Sequence, residues 1–280
     1  MTGGGLGSFA TSRPGVMRRF LASLRTPPLH SLAQFANCRG LYVAGFPRSG
    51  NSWIAYLLSY VTNRPYFDID GEGLSKERLG LGGLLVGEQH HPPCELFDWV
   101  LKTHAEPRQL PLTRNDAVVY IVRDPRDAIT SYFYHTEQQW KRAPQWWRRA
   151  AVSIAPVVLP RGIRFSLFVR WATAEWAGQV SRALAEGRVI VRYEAVHSSP
   201  AATLAEVLDR LGCRKPDADV ISGAVELFSF SRMRSVAEQG DPSGHTTRRG
   251  AIGDWKTHFS ETDATWVRNY AGTLLEALGY

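Results

Sequence analysis

A glycine-rich turn follows the first apolar run of the chain, in the stretch GFPRSGNSW. Gly45 and Gly50 have the spacing of a phosphate-binding loop, and Arg48, Asn51 and Ser52 can add side-chain donors. Backbone N–H groups in such a turn, together with the following helix N-terminus, attract anions. The stretch predicts a phosphate site, although glycines that serve only turn geometry would give the same spacing.

A second cation stands in the stretch VYIVRDPRDAITSY, where Arg123 ends an apolar run and Ser131 follows eight residues later. The carboxyl ends of strands in open α/β sheets face the ligand crevice, so Arg123 is expected to meet a second anionic group there. The competing interpretation pairs Arg123 with Asp124 or Asp127 and leaves Ser131 as an ordinary helix residue.

The stretch WVLKTHAEP places Lys102 and His104 at the end of another strand-like run. A histidine at that edge can take a proton from a hydroxyl nucleophile near neutral pH. A structural histidine is the alternative, since the chain contains eight.

The stretch TTRRGAIGDWKTHF brings two adjacent arginines, Arg248 and Arg249, next to Gly250. Guanidinium groups beside a free backbone N–H suit phosphate oxygens. A solvated surface loop would have the same composition.

Apolar β-branched runs alternate with helical periodicity, which predicts a single α/β domain with a central parallel sheet flanked by helices. Residues 1–38 are expected to be a basic, flexible or partly helical segment, and residues 39–280 the domain. The predicted strands are LYVAG, WVLKTH, AVVYIVRD and RVIVRYE, and the predicted helices cover residues 51–63, 125–139, 164–186, 200–212 and 260–278.

The composition, with 44% hydrophobic and 21% charged residues, indicates a globular protein. No apolar run reaches the length of a membrane-spanning helix. The three cysteines, Cys38, Cys94 and Cys213, form no disulfide framework or zinc motif by spacing. A cytoplasmic location and no metal are therefore expected.

The net charge of +7 is concentrated near the start, because no acidic residue precedes Asp68. An anionic ligand at the loop, a lipid- or nucleic-acid-facing arm, a targeting segment and a solvated basic arm all agree with this. Peripheral membrane contact through residues 1–38 is one interpretation.

Taken together and in their order along the chain, the four motifs resemble those of the sulfotransferases that use 3′-phosphoadenosine 5′-phosphosulfate (PAPS). FPRSGNSW is similar to the 5′-phosphosulfate loop, VRDPRDAITSY to the 3′-phosphate element, and LKTHAEP to the strand that carries the catalytic histidine. RRGAIGDWKTHF matches the family's late glycine-containing loop most closely. The resemblance covers about residues 41–260 and implies a P-loop-like sulfotransferase fold.

The resemblance also implies residue roles. His104 would be the catalytic base, with Arg48 and Lys102 stabilising charge. PAPS would be bound by the loop, by the 3′-phosphate element and by adenine-contacting aromatics: Arg48, Ser49, Gly50, Asn51, Ser52, Trp53, Arg123, Ser131, Tyr193, Phe230, Arg248, Arg249 and Gly250. For Trp53 and Phe230, packing in the core is the competing role.

Two positions depart from the family pattern, because Arg48 replaces the usual loop lysine and Asn51 the usual threonine. Arginine keeps the charge but is effectively never deprotonated. Charge stabilisation is therefore expected to survive, whereas proton donation to the leaving group is in doubt.

The expected reaction is in-line sulfuryl transfer to a hydroxyl or an amine of a small-molecule, carbohydrate or lipid acceptor, with no nucleic-acid partner. The Trp-rich stretch at residues 138–165 is either an acceptor-binding lid or a surface excursion. Two alternatives are a P-loop kinase or nucleoside triphosphatase, and a non-catalytic binder of anionic lipid or nucleic acid. The motifs do not indicate the acceptor's identity or the oligomeric state.

Overall fold

The computed structural model describes residues 39–68, 91–106, 109–110, 112–142, 159–229, 231–232 and 250–280. The strands are β1 (Gly40–Gly45), β2 (Tyr66–Asp68), β3 (Trp99–Thr103), β4 (Ala117–Val122) and β5 (Val189–Arg192). The helices are α1 (Asn51–Thr62), α2 (Pro125–Arg142), α3 (Arg161–Ala185), α4 (Tyr193–Ser198), α5 (Pro200–Arg210), α6 (Ala218–Leu227) and α7 (Glu261–Leu278). A short 3-10 helix, Asp254–Thr257, precedes α7.

The described strands form one parallel sheet in the order β2-β3-β1-β4-β5. All six residues of the central strand β1 are buried. The sheet confirms the predicted single α/β domain with a parallel centre. Because parallel strands end at one edge, the residues that follow β1, β3 and β4 are brought together there.

Alternate residues of β1 serve two separate cores, as the period of a strand requires. Leu41 and Val43 pack in the cluster that contains α1, α5 and α6. Tyr42 and Ala44 pack in the cluster that contains α2, α3 and α7. The molecule therefore has three layers, with the sheet held between two sets of helices.

Three described elements were not predicted: β2, α4 and α6. β2 has only three residues and pairs on one side, with β3. The predicted strand RVIVRYE ends earlier, since the chain turns into α4 at Tyr193. The Trp-rich stretch lies largely outside the described residues.

Two carboxylates accept hydrogen bonds from the backbone at the start of the domain. The Arg39 N–H donates to Asp98 across 2.7 Å, and the Gly40 N–H donates to Asp116 across 2.5 Å. These contacts hold the start of β1 in register with its neighbours. Within the described part of the chain, no helix is long and apolar enough to cross a membrane.

Candidate functional site

The turn after β1 is closed tightly. Arg48 and Gly50 have positive φ angles of 68° and 96°, and the Ser49 N–H donates to the Phe46 carbonyl across 3.2 Å. A positive φ is uncommon for a residue other than glycine, so Arg48 holds a strained backbone in the middle of the turn. Turns that contain left-handed residues present successive N–H groups to one concave site, which favours an anion.

Gly50 joins this turn to helix α1 and leaves no room for a side chain. A Cβ at this position would lie 2.6 Å from the Tyr193 ring. Because Gly50 supplies no side-chain cap and no acidic residue occupies the first turn of α1, the positive end of that helix faces the turn uncompensated. The turn and the helix end together form an electropositive cradle.

Two buried side-chain groups beside the cradle that can donate, besides the acceptor Oδ1 of Asn51, have no hydrogen-bond partner among the residues that the structure describes. They are Oγ of the fully buried Ser49 and Nε of Arg123, which is 7% exposed. An unsatisfied buried donor costs about 1–3 kcal/mol, so such atoms are rare in the absence of a ligand. Oxygens of a phosphate or sulfate group would satisfy both atoms. The residues present therefore fit an anionic ligand.

Arg123 connects the phosphate turn with the late loop. Its Nη1 donates to the Arg48 carbonyl and its Nη2 to the Ala251 carbonyl, each across 3.1 Å. Its guanidinium lies 4.4 Å from the centroid of the Tyr193 ring. Arg48 in turn donates through Nε to Ser131 Oγ across 3.3 Å. The structure thus brings together the residues that the sequence predicted for two separate phosphate-binding elements.

The acidic residues after Arg123 have other partners. Asp124 accepts the Arg126 guanidinium at 2.9 and 2.7 Å and also the Arg126 backbone N–H, as a residue at a helix start does. Asp127 faces the late loop, where Oδ2 accepts the Gly253 N–H at 2.7 Å and Oδ1 the Trp255 N–H at 2.9 Å. Burial raises the pKa of Asp127, and the two N–H donors oppose that shift.

The late loop is held by further contacts with the same elements. The Tyr193 hydroxyl donates to the Gly250 carbonyl across 3.1 Å. The Arg126 guanidinium lies 4.2 Å from the centroid of the Trp255 ring. Gly250 therefore lies beside Tyr193. Arg248 and Arg249 lie outside the described residues.

His104 directly follows β3 and lies against the start of α1. Its Nδ1 is 3.2 Å from the Gly45 carbonyl oxygen and 3.0 Å from Asn51 Nδ2. The Asn51 amide is oriented by a 2.8 Å hydrogen bond to the same carbonyl. These two contacts call for different tautomers, because Nδ1 accepts from Asn51 only when unprotonated and donates to Gly45 only when protonated. The tautomer that donates to Gly45 has its lone pair on Nε2.

Asn51 thus has a role that the sequence did not indicate. Its Nδ2 contacts the Gly45 carbonyl and the histidine ring, so the amide spans β1 and the residue after β3. It occupies the place where a nucleoside-triphosphate loop carries its lysine. At this position the chain has a neutral positioning group instead of a cation.

Lys102 is fully buried and forms an ion pair with Asp68, the last residue of β2, with 3.4 Å between Nζ and Oδ1. Asp68 also accepts the Tyr66 hydroxyl across 3.1 Å. The two charged residues are paired in register on neighbouring strands. Asp68 was not identified as a partner because β2 itself was not predicted.

The aromatic side of the site is formed by Trp53 and Tyr193. Their ring centroids are 5.7 Å apart in an edge-to-face arrangement. Trp53 Nε1 donates to the Phe228 carbonyl across 2.7 Å, which connects the start of α1 with the end of α6. Phe228 itself is buried against Tyr56 in the core. Phe230, which the sequence predicted here, lies outside the described residues.

Comparison with known families covers nearly the whole domain. The family model described as the sulfotransferase domain matches residues 39–279. The chain belongs to the sulfotransferase family. The predicted family, fold and enzyme class are thereby confirmed.

Characterised relatives of this sulfotransferase are distant but match over most of their length. It is 23% identical to sulfotransferase 1E1 of Mus musculus, over 79% of this chain and 78% of the relative. It is 24% identical to flavonol 3-sulfotransferase of Flaveria bidentis, over 81% of this chain and 78% of the relative.

Solved structures show the same fold. Retinol dehydratase, crystallised with androsterone and the inactive cofactor PAP, superposes with a TM-score of 0.57 at 20% identity, covering 89% of this chain and 85% of the other. Mouse sulfotransferase SULT7A1, crystallised with PAP, gives a TM-score of 0.57 at 18% identity, with 89% and 88% covered. The P-loop-like sulfotransferase architecture of the domain follows from this agreement.

Proposed function

We propose that this sulfotransferase moves the sulfuryl group of PAPS to a hydroxyl or an amine of an acceptor by direct in-line displacement. The observation that carries the proposal is the electropositive cradle after β1, in which Ser49 Oγ and Arg123 Nε are buried and have no partner within the described ranges. The cradle lies beside a histidine on the neighbouring strand end. An anion site next to a base is the arrangement that this transfer requires.

His104 is the proposed base. Its Nδ1 is directed at the Gly45 carbonyl, so Nε2 can take the proton of the acceptor hydroxyl as the oxygen attacks sulfur. The new O–S bond forms while the bond between sulfur and the 5′-phosphate oxygen breaks, which releases 3′-phosphoadenosine 5′-phosphate (PAP). General-base catalysis of this kind contributes roughly 10²- to 10⁴-fold in rate.

Arg48 and the turn N–H groups would stabilise the charge that develops on the sulfuryl and bridging oxygens. The Nε of Arg48 donates to Ser131, which orients the guanidinium within the turn. Because arginine retains its proton, the leaving phosphate would depart as an anion held by fixed donors. Lys102 adds positive charge at the neighbouring strand, where Asp68 holds its ammonium group.

The 3′-phosphate of the donor would be bound by Arg123 and Ser131, with Arg248, Arg249 and Gly250 from the late loop. Support comes from the contacts that bring this loop to Arg123 and Tyr193. Trp53 and Tyr193 would contact the adenine, and Phe230 would complete that aromatic surface. Two anchored phosphate groups would distinguish PAPS from nucleotides without a 3′-phosphate.

The acceptor is proposed only as a class. The relatives named above include a flavonol sulfotransferase and a retinol dehydratase crystallised with androsterone, and flavonols, retinol and androsterone are all small hydroxyl compounds. A small-molecule, carbohydrate or lipid hydroxyl remains the proposal for this chain. Tyr134 and His135 lie on α2 ahead of the Trp-rich stretch, which is the proposed source of acceptor contacts.

Thermal shift measurements with PAP and with ATP plus Mg²⁺ test the donor. A ligand at 100 times its dissociation constant adds about 2.7 kcal/mol to the free energy of unfolding. PAP should raise the Tm, and release of PAP from PAPS in the presence of an acceptor panel should follow.

The control variant is Arg188→Met, which removes a surface arginine paired with Glu186. It should keep the PAP response, whereas Arg123→Met should lose it. A response to ATP plus Mg²⁺ alone would favour the kinase alternative. Salt-sensitive binding to lipid or nucleic acid without sulfuryl transfer would favour the non-catalytic binder.

A further inference from the structure

Two of the three cysteines contact each other, and both lie far from the phosphate turn in the sequence. The Sγ atoms of Cys94 and Cys213 are hydrogen-bonded across 3.2 Å, although 119 positions separate the residues. Cys94 is half-buried and Cys213 is buried. Their spacing in the sequence gave no indication of this contact.

Both cysteines are held in place by the backbone. The Cys94 N–H donates to the Thr62 carbonyl at the end of α1, across 2.8 Å. The Cys94 carbonyl accepts Nε and Nη2 of Arg64 at 2.8 and 2.7 Å. The Cys213 N–H donates to the Leu208 carbonyl of α5 across 2.9 Å. The sulfur contact is therefore built into the junction of α1, α5 and the segment that leads to β3.

The two sulfurs are inequivalent. The hydrogen bond with Cys213 lowers the pKa of Cys94 to about 6, and the positive charge of Arg64 and nearby backbone N–H groups act in the same direction against burial. The same contact and burial raise the pKa of Cys213. A partly accessible thiolate next to a buried thiol matches a reactive cysteine with a resolving partner.

We propose that Cys94 and Cys213 form a thiol modification site at which a hydroperoxide drives formation of an intramolecular disulfide. The Cys94 thiolate attacks a peroxide oxygen, so an S–O bond forms, the O–O bond breaks, and Cys94 becomes a sulfenic acid. The other peroxide oxygen leaves as an alkoxide or hydroxide and takes a proton from water. Cys213 then loses its proton and attacks the Cys94 sulfur. The S–S bond replaces the S–O bond, and the hydroxide leaves with that proton as water.

The movement that this bond requires is small. The sulfurs must approach from 3.2 Å to about 2.05 Å. Cys94 precedes β3 and Cys213 lies between α5 and α6, so neither residue is inside a helix or strand. A link here would tie the end of α1 to the α5–α6 unit. That unit reaches the donor site, because α6 ends beside Phe228 and the Phe228 carbonyl accepts Trp53 Nε1.

Peptide mapping of the full-length protein after a small molar excess of hydrogen peroxide tests the site. A Cys94–Cys213 linked peptide is expected, with Cys38 still alkylated, and dithiothreitol should reverse the link. The oxidised protein should also have a Tm higher by roughly 5 °C, because the link closes a long loop.

Cysteine variants distinguish the proposed roles of the two sulfurs. Cys213→Ser should leave a sulfenic acid on Cys94 that dimedone traps, and Cys38→Ser should form the link as the wild type does. The proposal is overturned if Cys94 and Cys213 both stay alkylatable, if either pairs with Cys38, or if Cys94 is overoxidised without a link. The wild-type map decides the matter even where a variant does not fold.

Discussion

At the scale of single residues, substitution of His104 tests whether this residue serves catalysis or only the structure. Its ring is held by the Gly45 carbonyl and the Asn51 amide, and both contacts are at Nδ1. We expect His104→Ala to lower the rate of sulfuryl transfer roughly 10²- to 10⁴-fold, because only the base is removed. Single-turnover kinetics with PAPS should show this loss.

The PAP affinity of His104→Ala should stay close to that of the wild type, since no proposed donor contact is lost. Calorimetric titration with PAP checks this, and added imidazole should restore part of the rate. A parallel loss of transfer and PAP binding would make His104 a structural residue.

The buried pair of Lys102 and Asp68 gives a second residue-scale prediction. Their side chains are 0% and 9% exposed. Lys102→Met should therefore lower the free energy of unfolding by about 3–5 kcal/mol, because it leaves a buried carboxylate without its partner. Urea denaturation measures the change.

The double variant Asp68→Asn with Lys102→Met distinguishes the two functions of the lysine. It should recover most of the stability, since both charges are removed together. Sulfuryl transfer should stay about 10²-fold or more below wild type if Lys102 stabilises developing charge. Recovery of transfer along with stability would show that Lys102 serves the fold alone.

The site residues that could be identified from the sequence are those whose position follows from a local pattern. Arg123 and His104 stand directly after strands, Arg48 lies in the turn that follows β1, and the sheet brings such positions together. The partners could not be predicted in this way. Asp68 meets Lys102 only because β2 lies beside β3, and Asp127 meets Gly253 across 126 positions.

At the scale of elements, the first turn of α2 positions the late loop. Asp127 accepts two backbone N–H groups of that loop, from Gly253 and Trp255. Hydrogen bonds to a charged group contribute about 1.5–3 kcal/mol, so Asp127→Asn should weaken PAP binding by roughly tenfold to a hundredfold. Calorimetric titration of PAP measures the effect.

Adenosine 5′-phosphate provides the comparison ligand for Asp127→Asn. Its affinity should change little, because it lacks the 3′-phosphate that the late loop is proposed to bind. Asp219→Asn, at an exposed aspartate in the first turn of α6, is the matched control. Equal weakening of both nucleotides would assign Asp127 a general role in stability.

Ionisation of Asp127 is expected to change the free energy of unfolding and the affinity for PAP in opposite directions. Burial raises the pKa of Asp127 above 3.8, so its contribution to the free energy of unfolding is present at low pH and is lost as pH rises through the folded pKa. The carboxylate, however, is the form that accepts both N–H groups. PAP affinity should fall as pH drops through that same window, and Asp127→Asn should reduce the dependence.

Most elements with long, periodic sequences were predicted, although the ten-residue helix α6 was missed together with the shorter β2 and α4. The predicted helix at residues 260–278 corresponds to α7, Glu261–Leu278, and β1 and β4 were also identified. β2 and α4 have three and six residues. Such short elements are stabilised by their neighbours in the fold more than by their own periodicity.

At the scale of the whole molecule, the basic segment 1–38 is predicted to be separate from the domain. A chain that begins at Arg39 should keep the Tm and the PAP response of the full chain, because the N–H groups of Arg39 and Gly40 remain to bind Asp98 and Asp116. Thermal unfolding with and without PAP measures both properties.

A chain that begins at residue 41 is the contrasting truncation. It removes both N–H donors and leaves two carboxylates without these partners, so its Tm should fall. If the chain that begins at Arg39 loses PAP binding, the basic segment belongs to the donor site. If only its affinity for anionic vesicles falls, the segment serves a membrane surface.

The attachment of the late loop by a few side-chain contacts, those of Asp127 among them, also bears on the proposed turnover. On the sheet side, the turn of the proposed donor site follows the fully buried strand β1. On the loop side, the Gly253 and Trp255 N–H groups donate to Asp127. Local opening of the loop therefore costs far less than unfolding the sheet. Hydrogen exchange at these two amides would report how often the loop opens. If the proposed donor leaves past this loop, that frequency is an upper limit on its rate of release.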